Sequence, residues 1–161
     1  MGHTGSKWRI TSMNKREDLI EELNQLLKGT HMGAFIFEDL HEKIMDPELA
    51  MEFANYLRIL KRHEQLLTRH IIQLEGDPLD TSGIKGTMAD LMSMMKNLTL
   101  ANDEQVLEEA LKSIEMGQKA LRDFDDRHFN MSENLCKELS IMKDDYSIIH
   151  HSLHKFITAM K

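Results

Sequence analysis

Nine histidines in 161 residues, set among 27 carboxylates, are the side chains of this chain best suited to chemistry. Imidazole and carboxylate are the donor types that hold iron, manganese or zinc. His31, His63, His70, His128, His150, His151 and His154 are spread over most of the sequence. His150 and His154 stand four apart, on one face of a helix, a spacing at which two imidazoles can share an ion. Glu64 stands where an apolar run at helical spacing asks for another apolar residue, and Glu38 adds a carboxylate upstream. A carboxylate buried without a partner is costly, so Glu64 must pair, take a proton, bind an ion or turn to the flank. Turning it to the flank is a rotation of one position that carries His63 inward; both cannot point fully inward. One inward cluster of His31, His63, Glu64 and Glu115 is conceivable. The alternative is that most of these are surface residues of amphipathic helices, with one or two hydrogen-bonded in the core.

Sulfur offers less. Thirteen methionines include a group at Met88, Met92, Met94 and Met95. Thioethers bind copper(I), but they also fill irregular cores and adaptable contacts, and a packing role is expected here. Cys136 is the only cysteine, so it has no internal disulfide partner, and no His–Asp pair accompanies it as a nucleophile would require. Phosphate loops, Gly-rich dinucleotide motifs and zinc-finger spacings do not occur.

The elements that must position these residues are four long amphipathic helices of similar length, roughly 14–45, 47–75, 102–129 and 131–160. In the first, Leu19, Leu23, Leu26, Gly33, Phe37, Leu40 and Ile44 recur at spacings of three and four. Thr30 falls on the same face and places a hydroxyl mid-core. Asn14 and Glu17 read as a capping box opening this helix, which makes residues 1–13 a flexible leader. Asp46-Pro47 stops the first helix and restarts the second, so the two form an antiparallel hairpin. The second helix carries Ala50, Phe53, Leu57, Leu60, Leu67, Ile71 and Leu74, and ends at Gly76-Asp77-Pro78. Asn102 with Gln105, and Asn130 with Glu133, read as capping boxes for the third and fourth helices. The stripe of the fourth runs through Leu135, Leu139, Met142, Tyr146, Ile149, Leu153 and Phe156. Residues 76–101, with a short helix near 87–98, are far longer than the loop of about 2–8 residues that joins antiparallel neighbours. The expectation is therefore all-α: a ferritin-like four-helix bundle, two antiparallel hairpins joined by one long crossover.

The run His63-Glu-Gln-Leu-Leu-Thr-Arg-His-Ile-Ile-Gln-Leu-Glu-Gly-Asp-Pro78 resembles the end of the second helix of bacterioferritins, where a metal-binding histidine precedes a Leu-Glu-Gly turn. Leu-Asn-Gln-Leu-Leu-Lys at 23–28 is similar to their first helix, while Ile-Glu-Met-Gly at 114–117 and Asp144-Asp145 are looser matches. The resemblance spans about residues 14–160 and suggests kinship with bacterial four-helix proteins of the ferritin-like superfamily. It implies a di-iron site built from a Glu on the first and third helices and a Glu-x-x-His on the second and fourth. Here His63, Glu115 and Asp145 occupy three of those positions. Thr30 or Gly33, Leu60 and Ile148 stand at the others. The candidate metal residues are thus His63, Glu115, Asp145, Glu64 and His31.

Two functions follow as expectations. The first is a degenerate ferritin-like bundle without cofactor: a non-catalytic structural or stress-associated protein acting by self-association or through a protein partner. The second is a metalloprotein with an altered His/carboxylate site for iron, manganese or zinc, with oxidoreductase chemistry in reach. A hemerythrin-like bundle built on His150 and His154 is the weaker third, because the long crossover counts against it. By the resemblance a homodimer is expected through the first two helices, where Phe35 and Ile36 lie off the main stripe; the same two residues could instead widen the core stripe. A net charge of −7 with no basic stripe argues against nucleic acid. No apolar run reaches membrane-span length, and together with the single cysteine this suggests a cytoplasmic location.

Overall fold

The computed structural model describes residues 3–161, with side chains described from Asn14 onward. It contains five helices and, among the described residues, no strand: α1 (His3–Lys43), α2 (Pro47–Gln73), α3 (Lys85–Asn97), α4 (Asp103–Asp125) and α5 (Glu133–Met160). The all-helical expectation holds. No helix among the described residues is long and apolar enough to cross a membrane.

The breaks follow the capping residues. Asp46 accepts the Leu49 N–H at 2.9 Å and Pro47 opens α2, a position where its missing N–H costs nothing. Asn102 accepts the Gln105 N–H at 3.0 Å, while the Gln105 side chain accepts the Ala101 N–H at 2.7 Å. Two expected boxes are corrected. The fourth long helix, α5, is capped by Ser132, which accepts the Leu135 N–H at 3.1 Å, and not by Asn130. Asn14 and Glu17 lie inside the continuous α1, because neither is a strong enough breaker to interrupt it. The flexible leader expected over residues 1–13 lies outside the residues whose side chains are described.

Side-chain pairs fix the directions of the helices. Glu38 meets Lys61 and His31 meets Glu64 between α1 and α2. Asp125 meets Lys143 and Glu115 approaches His150 between α4 and α5. His63 meets Asp145 and His70 meets Glu138 between α2 and α5. Glu22 meets Arg127 at one end of the α1–α4 contact, and Asp103 accepts the Met45 and Asp46 N–H groups at the other. In every pair the numbers rise on one helix as they fall on its neighbour. Adjacent helices are therefore antiparallel, α2 and α4 run the same way, and the chain between them must return along the length of the ring. That connector is anchored to α1. Asn24 donates to the Asp77 carbonyl at 3.0 Å and accepts the Leu79 N–H at 2.8 Å, and Lys43 donates to the Met95 carbonyl at 3.2 Å.

The four long helices enclose one core, with Leu23, Leu27, Phe37, Phe53, Leu67 and Leu107 fully buried. Phe35 and Ile36 are half-buried against this core, so they widen the apolar stripe of α1. Met92 and Met94 of α3 face solvent, while Leu91 and Met95 pack inward. Gly76 follows α2 because a Cβ there would lie 2.7 Å from Ile20 Cγ2; the left-handed residue at that turn is Glu75, with φ of 66°.

Candidate functional site

Of the two rotations open to α2, the one with His63 inward and Glu64 on the flank is found. His63 is 1% exposed and the Glu64 side chain 14%. His63 Nε2 lies 2.8 Å from Asp145 Oδ2 across the α2–α5 seam, and its ring meets Tyr146 edge-on at 5.1 Å between centroids. Burial lowers the His63 pKa, Asp145 opposes that shift, and the nearby Arg62 guanidinium adds to it. The ring is therefore neutral, with Nε2–H donating to Asp145. Nδ1 then carries a lone pair and is buried without a hydrogen-bond partner.

The same arrangement recurs one heptad away. His70 Nε2 sits 3.3 Å from Glu138 Oε2, close but poorly aligned for a hydrogen bond. Arg69 donates to the same Glu138 oxygen at 3.1 Å, as Arg62 approaches Asp145 at 3.9 Å. One heptad in the other direction, the Tyr56 and Ser152 hydroxyls bond to each other. Residues 56, 63 and 70 of α2 thus face 152, 145 and 138 of α5 in three polar layers, seven residues apart on both helices. That is the period at which paired helices keep one face together. In each of the two His layers an arginine at the rim approaches the carboxylate from the solvent side.

His31 and Glu64 form a separate site between α1 and α2. Nδ1 of His31 bonds to Glu64 Oε2, and Nε2 lies 2.8 Å from the Leu79 carbonyl of the connector. Carboxylate and carbonyl are both acceptors, so the ring satisfies both only as the imidazolium. The bond to Glu64 raises the His31 pKa, burial works against it, and the Leu79 carbonyl adds to the rise. Lys61 faces the other Glu64 oxygen at 3.4 Å and bridges to Glu38 at 3.2 Å.

The expected inward cluster does not form. Glu115 lies on the outer face of α4, 57% exposed, with His150 Nε2 at 3.9 Å. His150 and His154 stack 6.5 Å apart, and His154 is exposed. Leu60 is buried and Ile148 is 62% exposed, so on α5 the position three after Asp145 turns outward where the resemblance requires an inward ligand. His31 with Glu64 and His63 with Asp145 are two pairs, and among the described residues no group of three or more His, Cys, Asp or Glu converges as an ion would need. These donors do not fit a binuclear iron centre.

The centre of the α1–α4 side is held by hydroxyls. Thr30, 3% exposed, donates to the Leu26 carbonyl at 2.8 Å. Tyr146 is buried on the same side of the core, and burial pushes its pKa up to about 12. Gly117 is required by Tyr146: a Cβ there would lie 2.9 Å from ring atoms Cε1 and Cζ. Apolar spacing puts Thr30, Gly117 and Tyr146 on core stripes but misses the polar layers. Their signal is present in Arg62-His63 and Arg69-His70, repeated at seven, matched by Glu138, Asp145 and Ser152 at the same interval.

The profile of the family described as Domain of unknown function (DUF2383) matches residues 18–127, more than half of the chain, and the chain belongs to that family. No curated protein and no solved structure matches it.

Proposed function

We propose that this member of the DUF2383 family is a ferritin-like helical bundle whose candidate metal residues are taken up mainly in hydrogen-bonded His–carboxylate pairs. In this reading it is a non-catalytic structural protein that acts by self-association, with a homodimer as the working unit, or through a protein partner. The observation that carries the proposal is the pairing itself. His31 uses both ring nitrogens on Glu64 and Leu79, His63 is committed to Asp145, and Glu115 stands apart on the surface. A donor with both nitrogens engaged has no lone pair for an ion.

The test is elemental analysis of protein purified without chelator and then exposed to anaerobic Fe(II). The expected result is near zero iron per chain, against about two for a complete centre of the ferritin-like type. Sedimentation of the same sample is expected to give a dimer. A second reading, an altered single-metal site, rests on one observation: Asp145 holds the Nε2–H of His63 and leaves Nδ1 free, the tautomer that carboxylates impose on metal-bound histidines. Metal that survives purification and disappears in His63→Ala would replace the first reading with this one.

A further inference from the structure

A cleft of about 180 Å³ opens between α1 and α4, floored by Leu60, Ile114 and Tyr146. Its room comes from glycine on the facing helices. Glycine inside a helix costs about 1 kcal/mol relative to alanine, so a packing reason is expected for each one. Gly117 has such a reason in Tyr146. Gly29 and Gly33, which line the cleft, do not: a Cβ at Gly29 meets nothing within 4 Å, and one at Gly33 meets only Ser113 Oγ at 3.9 Å. Alanine at both positions would give a better helix, and at Gly33 it would take up part of the cleft; the chain keeps the room instead.

The chemistry of the walls narrows the occupant. The lining is apolar except for the hydroxyls of Thr30, Ser113 and Tyr146. The Thr30 proton goes to the Leu26 carbonyl at 2.8 Å, so toward the cleft its oxygen can only accept. Tyr146 adds a second hydroxyl to the lining, and its oxygen carries lone pairs of its own. A guest there should bring a donor for the Thr30 and Tyr146 oxygens. Met32 and Met116 stand at the cleft, Met116 being 68% exposed. Thioethers adapt to irregular guests and favour aromatic rings. The volume is close to the roughly 150 Å³ of an engineered apolar cavity that takes up benzene.

We propose that the α1–α4 cleft is a binding site for a small aromatic molecule carrying one hydroxyl or N–H donor. This goes beyond the structural reading above and does not depend on whether metal binds elsewhere.

Phenol is the probe, with benzene as the ring of similar size that lacks the donor. Titration calorimetry on the full chain is expected to show phenol binding at one site and binding about tenfold tighter than benzene, the share of one net hydrogen bond. Gly33→Leu, which fills the cleft, should abolish both. Tyr146→Phe should bring phenol to the benzene level. Gly29→Leu is the second filling variant, entering open space, and serves if Gly33→Leu unfolds by circular dichroism. Three results would overturn the proposal: no phenol binding to the folded wild type, phenol binding undiminished in both filling variants, or filling variants that dissociate a dimer which never bound phenol. The last would make the cleft a contact between copies.

Discussion

Replacing His31 by leucine should destabilise the protein most at mildly acidic pH and progressively less as pH rises. The imidazolium donates once to the Glu64 carboxylate and once to the Leu79 carbonyl, in a setting where its side chain is 10% and that of Glu64 14% exposed. A charge-assisted bond contributes about 1.5–3 kcal/mol and a neutral one about 0.5–1.5. The Leu79 carbonyl can rehydrate and Glu64 keeps Lys61 at 3.4 Å, so the net loss is about 2 kcal/mol below neutral pH. The sign of the pH dependence follows from the raised pKa. Above the ordinary imidazole value of 6.5 the unfolded chain gives up the proton while the folded chain keeps it. The folded state then binds more protons, so the stabilisation is complete below 6.5 and is lost as pH climbs through the folded value, at no more than about 1.4 kcal/mol per pH unit for one proton. His63 acts in the opposite sense. Its lowered pKa makes the unfolded chain the better proton binder below 6.5, so that group costs stability as pH falls. Urea unfolding of wild type and His31→Leu, from about pH 6 to about pH 9, measures the difference directly. A gap that stays constant over that range, or widens with pH, would refute the doubly donating imidazolium.

Two glycines should respond in opposite directions. Gly117→Ala drives a methyl to 2.9 Å from Tyr146 and should cost about 1–3 kcal/mol in urea midpoint, whereas Gly29→Ala meets no atom and should stabilise by about 0.5–1 kcal/mol. Equal effects would mean that the Tyr146 contact does not govern Gly117. Leu60→Glu restores a carboxylate at the position the ferritin-like pattern wants, but Leu60 is 1% exposed and Ile148 points outward. The variant should lose on the order of 3 kcal/mol and gain no iron by elemental analysis, and stoichiometric iron would show that the remaining donors can still converge.

Much of the architecture was legible because it rests on local chemistry. Asp46-Pro47 can only break and restart a helix, and Asn102 with Gln105 supplies donors and acceptors within reach of one another. The capping pattern failed at Asn14 because asparagine tolerates a helix interior, and at Asn130 because Ser132 is nearer the first free N–H groups. The site was harder to read. Which of His63 and Glu64 faces inward turns on a rotation of about one residue, and apolar spacing alone does not resolve it. The partner decides: Asp145 and Arg62 compensate an inward His63, while His31 and Lys61 receive Glu64 at the flank. Arg62 and Lys61 are close in sequence, but the deciding partners, Asp145 and His31, lie 82 and 33 residues away, so the local pattern does not say which of the two faces inward. Glu115 misled for the same reason, since the tetrapeptide that suggested it says nothing about how α4 is turned.

The three polar layers between α2 and α5 raise the question of what they contribute if they bind nothing. Buried pairs of this kind add little net stability over apolar residues of similar size, but they penalise wrong registers. The two His layers alone would permit a slip of seven residues, because His63 could then meet Glu138. The Tyr56–Ser152 layer opposes it, since the same slip would set Tyr56 against Asp145 and leave His70 facing Met131. On this argument the layers specify alignment, and their energies should appear only when one partner is removed. Asp145→Leu leaves both nitrogens of the buried His63 without partners and should cost about 2–3 kcal/mol. His63→Leu combined with Asp145→Leu removes donor and acceptor together and should recover most of that loss, with helix content and oligomeric state unchanged. A double variant no more stable than Asp145→Leu alone would show that the pair is not a closed, compensated unit.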